Sequence, residues 1–99
     1  MQPSFNAYHE GYGAELVCPS CSGNYLHHDR VDIFERGEDQ DKGIHVSVAE
    51  GKVTVDTGLA DNPSARRGGL NIHFWCEGCS AKPVLTIAQH KGNSFVNFK

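Results

Sequence analysis

Apolar and polar residues alternate in short runs along most of the chain, and the clearest run reads IHVSVAEGKVTVDT, residues 44–57. A period of two marks a half-buried strand, because successive side chains leave opposite faces. A short turn at Glu50-Gly51 sets Ala49 opposite Lys52, Val48 opposite Val53, Ser47 opposite Thr54, Val46 opposite Val55 and His45 opposite Asp56. Both valine pairs then share one face and the polar pairs share the other. A slip of one residue would mix them, so the pattern itself selects the register. Glutamate is a poorer first turn residue than Asn or Asp, which leaves a four-residue turn with the same register open.

The segment PVLTIAQHKGNSFVNF, residues 83–98, behaves the same way. A turn centred on Lys91-Gly92 pairs Ile87 with Val96 and Leu85 with Phe98 on one apolar face. Between the hairpins, Leu70, Ile72 and Phe74 alternate with Asn71, His73 and Trp75. Residues 25–36 alternate less cleanly, with Val31 and Ile33 on one side and Phe34 on the other. Two connections stand apart: the acidic, turn-rich 35–43 and the long 57–69. Helical periodicity is weak throughout. These signals predict a mostly β fold: a small antiparallel sheet of six or seven short strands, with hairpins packed around one core and little helix.

At 99 residues, of which 38% are hydrophobic, the chain reads as a single domain, 1–99, near the small end of independent folders. Residues 1–14, with Phe5, Tyr8 and Tyr12 among Pro3, Gly11 and Gly13, read as an irregular N-terminal arm. Nine basic against twelve acidic residues give a net charge of −3, which offers no long-range attraction to phosphate backbones or anionic lipid. The start lacks the basic-then-apolar pattern of a signal peptide, and no apolar run is long enough for a membrane helix. A cytoplasmic protein with reduced thiols and no membrane partner is expected.

The four cysteines fall as two C-x2-C pairs, CPSC at 18–21 and CEGC at 76–79. Cysteines three positions apart can turn both thiolates toward one point, since the chain between them makes a tight loop. Pro19 restricts φ in the first loop, and Glu77-Gly78 offers a positive φ in the second. Two such loops face to face supply four sulfurs in a tetrahedron, which suits Zn²⁺ and also iron. The separation is no obstacle, because loop-closure cost grows only logarithmically. Paired disulfides, a redox dithiol and free thiols are the alternatives. The first two fit poorly with a reducing compartment and with the lack of a strand-to-helix context.

CPSCSG resembles the CPxCG knuckle of zinc ribbons, with Ser22 where that family usually carries glycine, and CEGCSA resembles a looser second knuckle. The resemblance covers the knuckles and the strands beside them, and the whole is similar to small zinc-ribbon-type proteins of bacteria and their phages. It implies Cys18, Cys21, Cys76 and Cys79 as ligands of a structural Zn²⁺. Rubredoxins share paired knuckles, with a shorter gap, and imply an iron electron carrier instead.

Other candidates have plainer readings beside them. Six histidines (His9, His27, His28, His45, His73, His90) invite a second site. His45 reads as a solvent-facing partner of Asp56, and only one of His27 and His28 can approach the knuckle, as they leave opposite faces. Ser20, Ser22 and Ser80 lack any activating context, and a Cys₄ site leaves no open coordination position, so no enzyme is expected. The EDQDKG turn lacks the ligand set of a calcium loop. Arg66-Arg67, flanked by Gly68-Gly69, can fork onto a phosphate, a carboxylate or an aromatic face, or can pair with acidic residues of its own chain. Trp75 can stack on a partner or shield the knuckle. The expected role is a protein-interaction or regulatory module using sheet edges and the Arg66-Arg67 loop. A nucleic-acid-binding ribbon using Arg66, Arg67, Lys91 and Trp75 is the first alternative.

Overall fold

The hairpin registers that alternation selects are the ones that form. The computed structural model describes residues 1–7 and 10–99, so Tyr8 of the arm and His9 lie outside the described residues. It contains β1 (Phe5–Asn6), β2 (Glu15–Leu16), β3 (Leu26–Glu35), β4 (Ile44–Ala49), β5 (Lys52–Asp56), β6 (Gly69–Cys76), β7 (Val84–His90) and β8 (Asn93–Phe98). No helix occurs among the described residues, and none is long and apolar enough to cross a membrane. β1 and β2 form a two-stranded antiparallel pair, so the arm read as irregular carries a short strand at Phe5–Asn6. The other six strands form one antiparallel sheet in the order β5-β4-β3-β6-β7-β8.

Both hairpins close through two-residue turns, and the longer alternative at Glu50 does not form. Glu50 (φ 53°) and Gly51 (φ 74°), like Lys91 (φ 51°) and Gly92 (φ 79°), are left-handed. Turns of this hand match the right-handed twist of the strands they join. Glycine adopts the conformation freely, whereas Glu50 and Lys91 pay for their Cβ at roughly 1 kcal/mol each.

Register carried across the sheet sorts the side chains sharply. Val53, Val48, Val31, Ile72, Leu85 and Phe98 form one row, spanning all six strands. Val55, Val46, Ile33, Leu70, Ile87 and Val96 form the next row on the same face. The opposite face carries Asp32, Ser47, Asn71 and Thr86, all buried, and Phe34, which stacks on His45 with ring centres 4.5 Å apart.

The polar face is the one that is covered. β5 is an edge strand and β6 lies beyond β4 and β3, so the connection between them must cross the sheet. It crosses on the polar side: Asn71 Nδ2 donates to the Asp61 carbonyl at 2.8 Å, and Ser64 Oγ donates to the Gln89 carbonyl at 2.7 Å. The apolar hairpin faces do not close around a common core, as alternation alone had suggested. Their burial is graded along the first row, from Val53 (65% exposed) and Val48 (43%) to Leu85 (8%) and Phe98 (3%). The buried end adjoins the N-terminal arm, where Met1, Val17 and Cys18 share a cleft with Phe98. The radius of gyration, 14.6 Å, exceeds the about 13 Å of a compact chain this long, as a largely single-layered sheet requires.

Replacing the strained turn residues should stabilise the protein. Glu50→Asn and Lys91→Asn are each expected to add about 0.5–1 kcal/mol, raising the thermal midpoint by several degrees in circular dichroism. An unchanged or lowered midpoint would contradict the left-handed turn assignment.

Candidate metal centre

The pairing of β3 with β6 brings the cysteines together. These neighbours are antiparallel and Leu26 lies opposite Cys76, so the start of β3 meets the end of β6. The loop holding Cys18 and Cys21 runs into β3, and the loop ending in Cys79 leaves β6. The first loop is closed by the Cys18 amide donating to the Gly23 carbonyl at 2.8 Å and the Ser22 amide donating to the Cys18 carbonyl at 2.9 Å. Ser22 is left-handed there, with φ 63°, at the position where the resembling knuckle carries glycine. The Glu77 amide donates to the Tyr25 carbonyl at 3.1 Å and joins the second loop to the first strand's approach.

All four sulfur atoms lie within 4.8 Å of one another, with Cys18 and Cys79 at 3.8 Å and Cys21 and Cys76 at 3.6 Å. Sulfurs placed about 2.3 Å from a central ion in a tetrahedron are about 3.8 Å apart, whereas a disulfide requires about 2.05 Å. The cysteines are accordingly free thiols in metal-binding proximity. The Gly23 and Gly78 amides each donate to a sulfur at 3.4 Å, Cys21 and Cys76 respectively, so backbone donors temper the charge that four thiolates would bring. Cys18 and Cys76 are buried, Cys79 is half-buried and Cys21 is exposed.

The thiols are electrostatically unequal. Burial works to raise Cys18, but the Cys21 and Ser20 amides and the neighbouring sulfurs outweigh it and bring it to about 7. At Cys79 the Ala81 amide lowers the value, yet burial and the three other sulfurs prevail and push it up to about 12. Four thiolates this close repel one another unless a cation lies among them, and Zn²⁺ and iron both suit such a donor set.

Glu77 Oε2 also accepts from His27 Nε2 at 2.6 Å, and the His27 ring stacks on Trp75 at 4.3 Å. Trp75 is 40% exposed, with one ring face covered by its own chain's histidine. His28, which faces Phe74 across the same strand pair, lies on the other side of the sheet from His27.

Arg66 and Arg67 are placed against the acidic 35–43 connection. Arg66 Nε donates to Asp39 Oδ1 at 2.6 Å, and Arg67 Nη2 donates to Glu38 Oε2 at 2.8 Å. The glycines behind them admit the chain's own backbone: a Cβ on Gly68 would lie 2.5 Å from the Phe34 carbonyl oxygen. Arg36, not singled out from sequence, clamps this region by donating to the carbonyls of Arg67 and Ser64, both at 3.0 Å.

A second cluster also went unrecognised in the sequence. The Asp32 side chain is only 4% exposed, and it accepts from Arg30 Nε at 3.1 Å. It meets His45 Nε2 at 2.8 Å and His73 Nε2 at 3.1 Å. His45 is 14% exposed and bridges onward to Asp56 at 3.0 Å, so its pairing with Asp56 is as read but its ring is not solvent-facing. The signal was present in VDIF, an aspartate on the side of a strand shared with Phe34, but its weight depends on β3 being central.

No protein-family model, curated protein or solved structure matches the chain.

The buried cluster sets a pH window for stability. Burial works to raise Asp32, but hydrogen bonds from His45, Arg30 and Ser47 hold it at about 2. Its contribution is complete above about pH 4 and is lost as pH falls through about 2. His45 is raised mainly by its bond to Asp32, so its contribution is complete below about 6.5 and is lost as pH climbs through its folded value. Asp32→Asn is expected to cost on the order of 2 kcal/mol at neutral pH and to flatten the acid limb of urea-unfolding stability. An acid limb identical to that of the wild type would refute the assignment.

Proposed function

We propose that this protein is a non-catalytic β domain in which Cys18, Cys21, Cys76 and Cys79 hold a structural Zn²⁺, and that it serves as a protein-interaction module. The observation that carries this reading is the mutual approach of four sulfurs within 4.8 Å from two loops at one end of the β3–β6 pair. Four thiolates complete a tetrahedral ion and leave no position for water or substrate, which favours a structural role over a catalytic one. The resemblance to zinc ribbons points the same way, and zinc is preferred to iron on that ground. An interaction role is supported by the exposed apolar residues of the sheet, whereas Arg66 and Arg67 are engaged by Asp39 and Glu38.

Protein purified without added metal should be colourless and contain one zinc per chain by elemental analysis. Iron, with colour in air, would replace this reading with an electron carrier. A strong chelator or Cys76→Ser is expected to leave the chain largely unfolded, because binding free energy is folding free energy in small metallodomains. Surviving circular dichroism and NMR dispersion after both treatments would remove the structural role. Oligonucleotides should not bind appreciably even at low salt. Salt-dependent binding lost in Arg66→Ala/Arg67→Ala would instead establish the nucleic-acid alternative.

A further inference from the structure

We infer that the partner is a second copy of this chain, docked face to face on the apolar side of the six-stranded sheet. This rests on the interaction-module reading above and not on the identity of the metal. The open part of the face is centred on β3, β4 and β5. There Val53 is 65% exposed, Val55 67%, Val48 43% and Ile33 41%, and Val96 near the far edge is 42% exposed. These are not scattered residues: register places them in two adjacent rows with no charged side chain in either. Their exposed fractions leave on the order of 400 Å² of apolar surface, within the range of a monomer's largest and often functional patch.

Three observations select an identical copy as occupant. A domain normally closes its apolar sheet face with a second layer, and here the layer that the chain supplies, residues 57–68, lies on the polar face. The exposed apolar area supplies about half of the about 800 Å² that each side of a stable dimer buries, and the half-buried Val31, Val46, Leu70, Ile72 and Ile87 of the same rows, with a polar rim, extend it. The rows are uncharged and similar from strand to strand, so stacking a face on itself about a two-fold axis brings no like charges together. Two sheets of the same twist stack about 10 Å apart with their strands about 30° out of line, giving a sandwich whose halves come from separate chains. An acidic or basic partner would find no complement in these rows.

Sedimentation of the full, metal-loaded chain tests this across the micromolar range. The expected result is a concentration-dependent dimer. Ile33→Lys/Val48→Lys should raise its dissociation constant about 100-fold or more, while Thr54→Lys on the opposite face of β5 should leave it unchanged. Isotope-filtered NMR on a mixed labelled and unlabelled sample of the unmutated protein supplies a measurement that needs no variant. Intermolecular contacts should join the methyl groups of Val46, Val48, Val53 and Val55 to their counterparts. A monomer at every concentration would overturn the inference, as would a dimer whose intermolecular contacts fall along the β5 edge or on the polar face. Elemental analysis would still report on the metal reading, so the two can fail separately.

Discussion

Four sulfur atoms within 4.8 Å of one another constrain this chain more tightly than any other contact set, because thiolates at that distance repel unless something offsets their charge. The backbone brings them there by ordinary means. β3 and β6 pair antiparallel over nearly their whole length, and the pairing ends with Leu26 opposite Cys76. Residues 36–68, which include the β4–β5 hairpin and the long crossing connection, are inserted between those strands. The insertion lengthens the sequence gap without moving the knuckles apart. Closing so long a loop costs little more than closing a short one.

Covering the polar rather than the apolar face follows from the same topology. The chain must return from edge strand β5 to central strand β6, and a returning irregular segment brings backbone donors and acceptors that need partners. A polar face supplies them: Asn71 meets the Asp61 carbonyl, and Asp32 gathers Arg30, His45 and His73 beneath the crossing. An aliphatic face would have left those backbone groups unpaired, at a cost of about 1–3 kcal/mol each. The buried layer is therefore polar and hydrogen-bonded around Asp32, with the buried Oδ1 of Asn71 left unpartnered, while the aliphatic rows are left to the outside.

Much of this was legible in the sequence because it is local. Period-two alternation and Gly at turn position two fix both hairpin registers, including the His45–Asp56 and Ile87–Val96 pairs. The C-x2-C spacing gives the sulfur loops, and the positive φ of Ser22 falls where the resembling knuckle uses glycine. What stayed hidden depends on strand order. Asp32 looks like one more outward polar residue until β3 is known to be central, and the face crossed by residues 57–68 is not encoded in any short run. Arg66 and Arg67 read equally well as a binding fork or an internal one; the outcome was set by how close the 35–43 connection lies. Gly68 and Gly69 carried the same ambiguity, since a close approach by a partner and by the chain's own backbone demand the same missing side chain.

The two ends of the apolar face are treated differently, and the knuckles lie at the treated end. At β8 the Phe98 amide donates to the Met1 carbonyl at 2.7 Å, and the Val17 amide donates to the Ser4 carbonyl at 3.0 Å. The arm is thereby tied both to the sheet edge and to the strand that leads into Cys18. Leu85 and Phe98 are buried under this arrangement, whereas Val53 and Val55, on the strand farthest from it, are the most exposed of the two rows. A tether at the sulfurs fixes the first knuckle against the second, and through Val17 it fixes the arm over Phe98. Whatever holds the four sulfurs together thus also sets how much of the apolar face the chain covers for itself and how much it leaves for another surface.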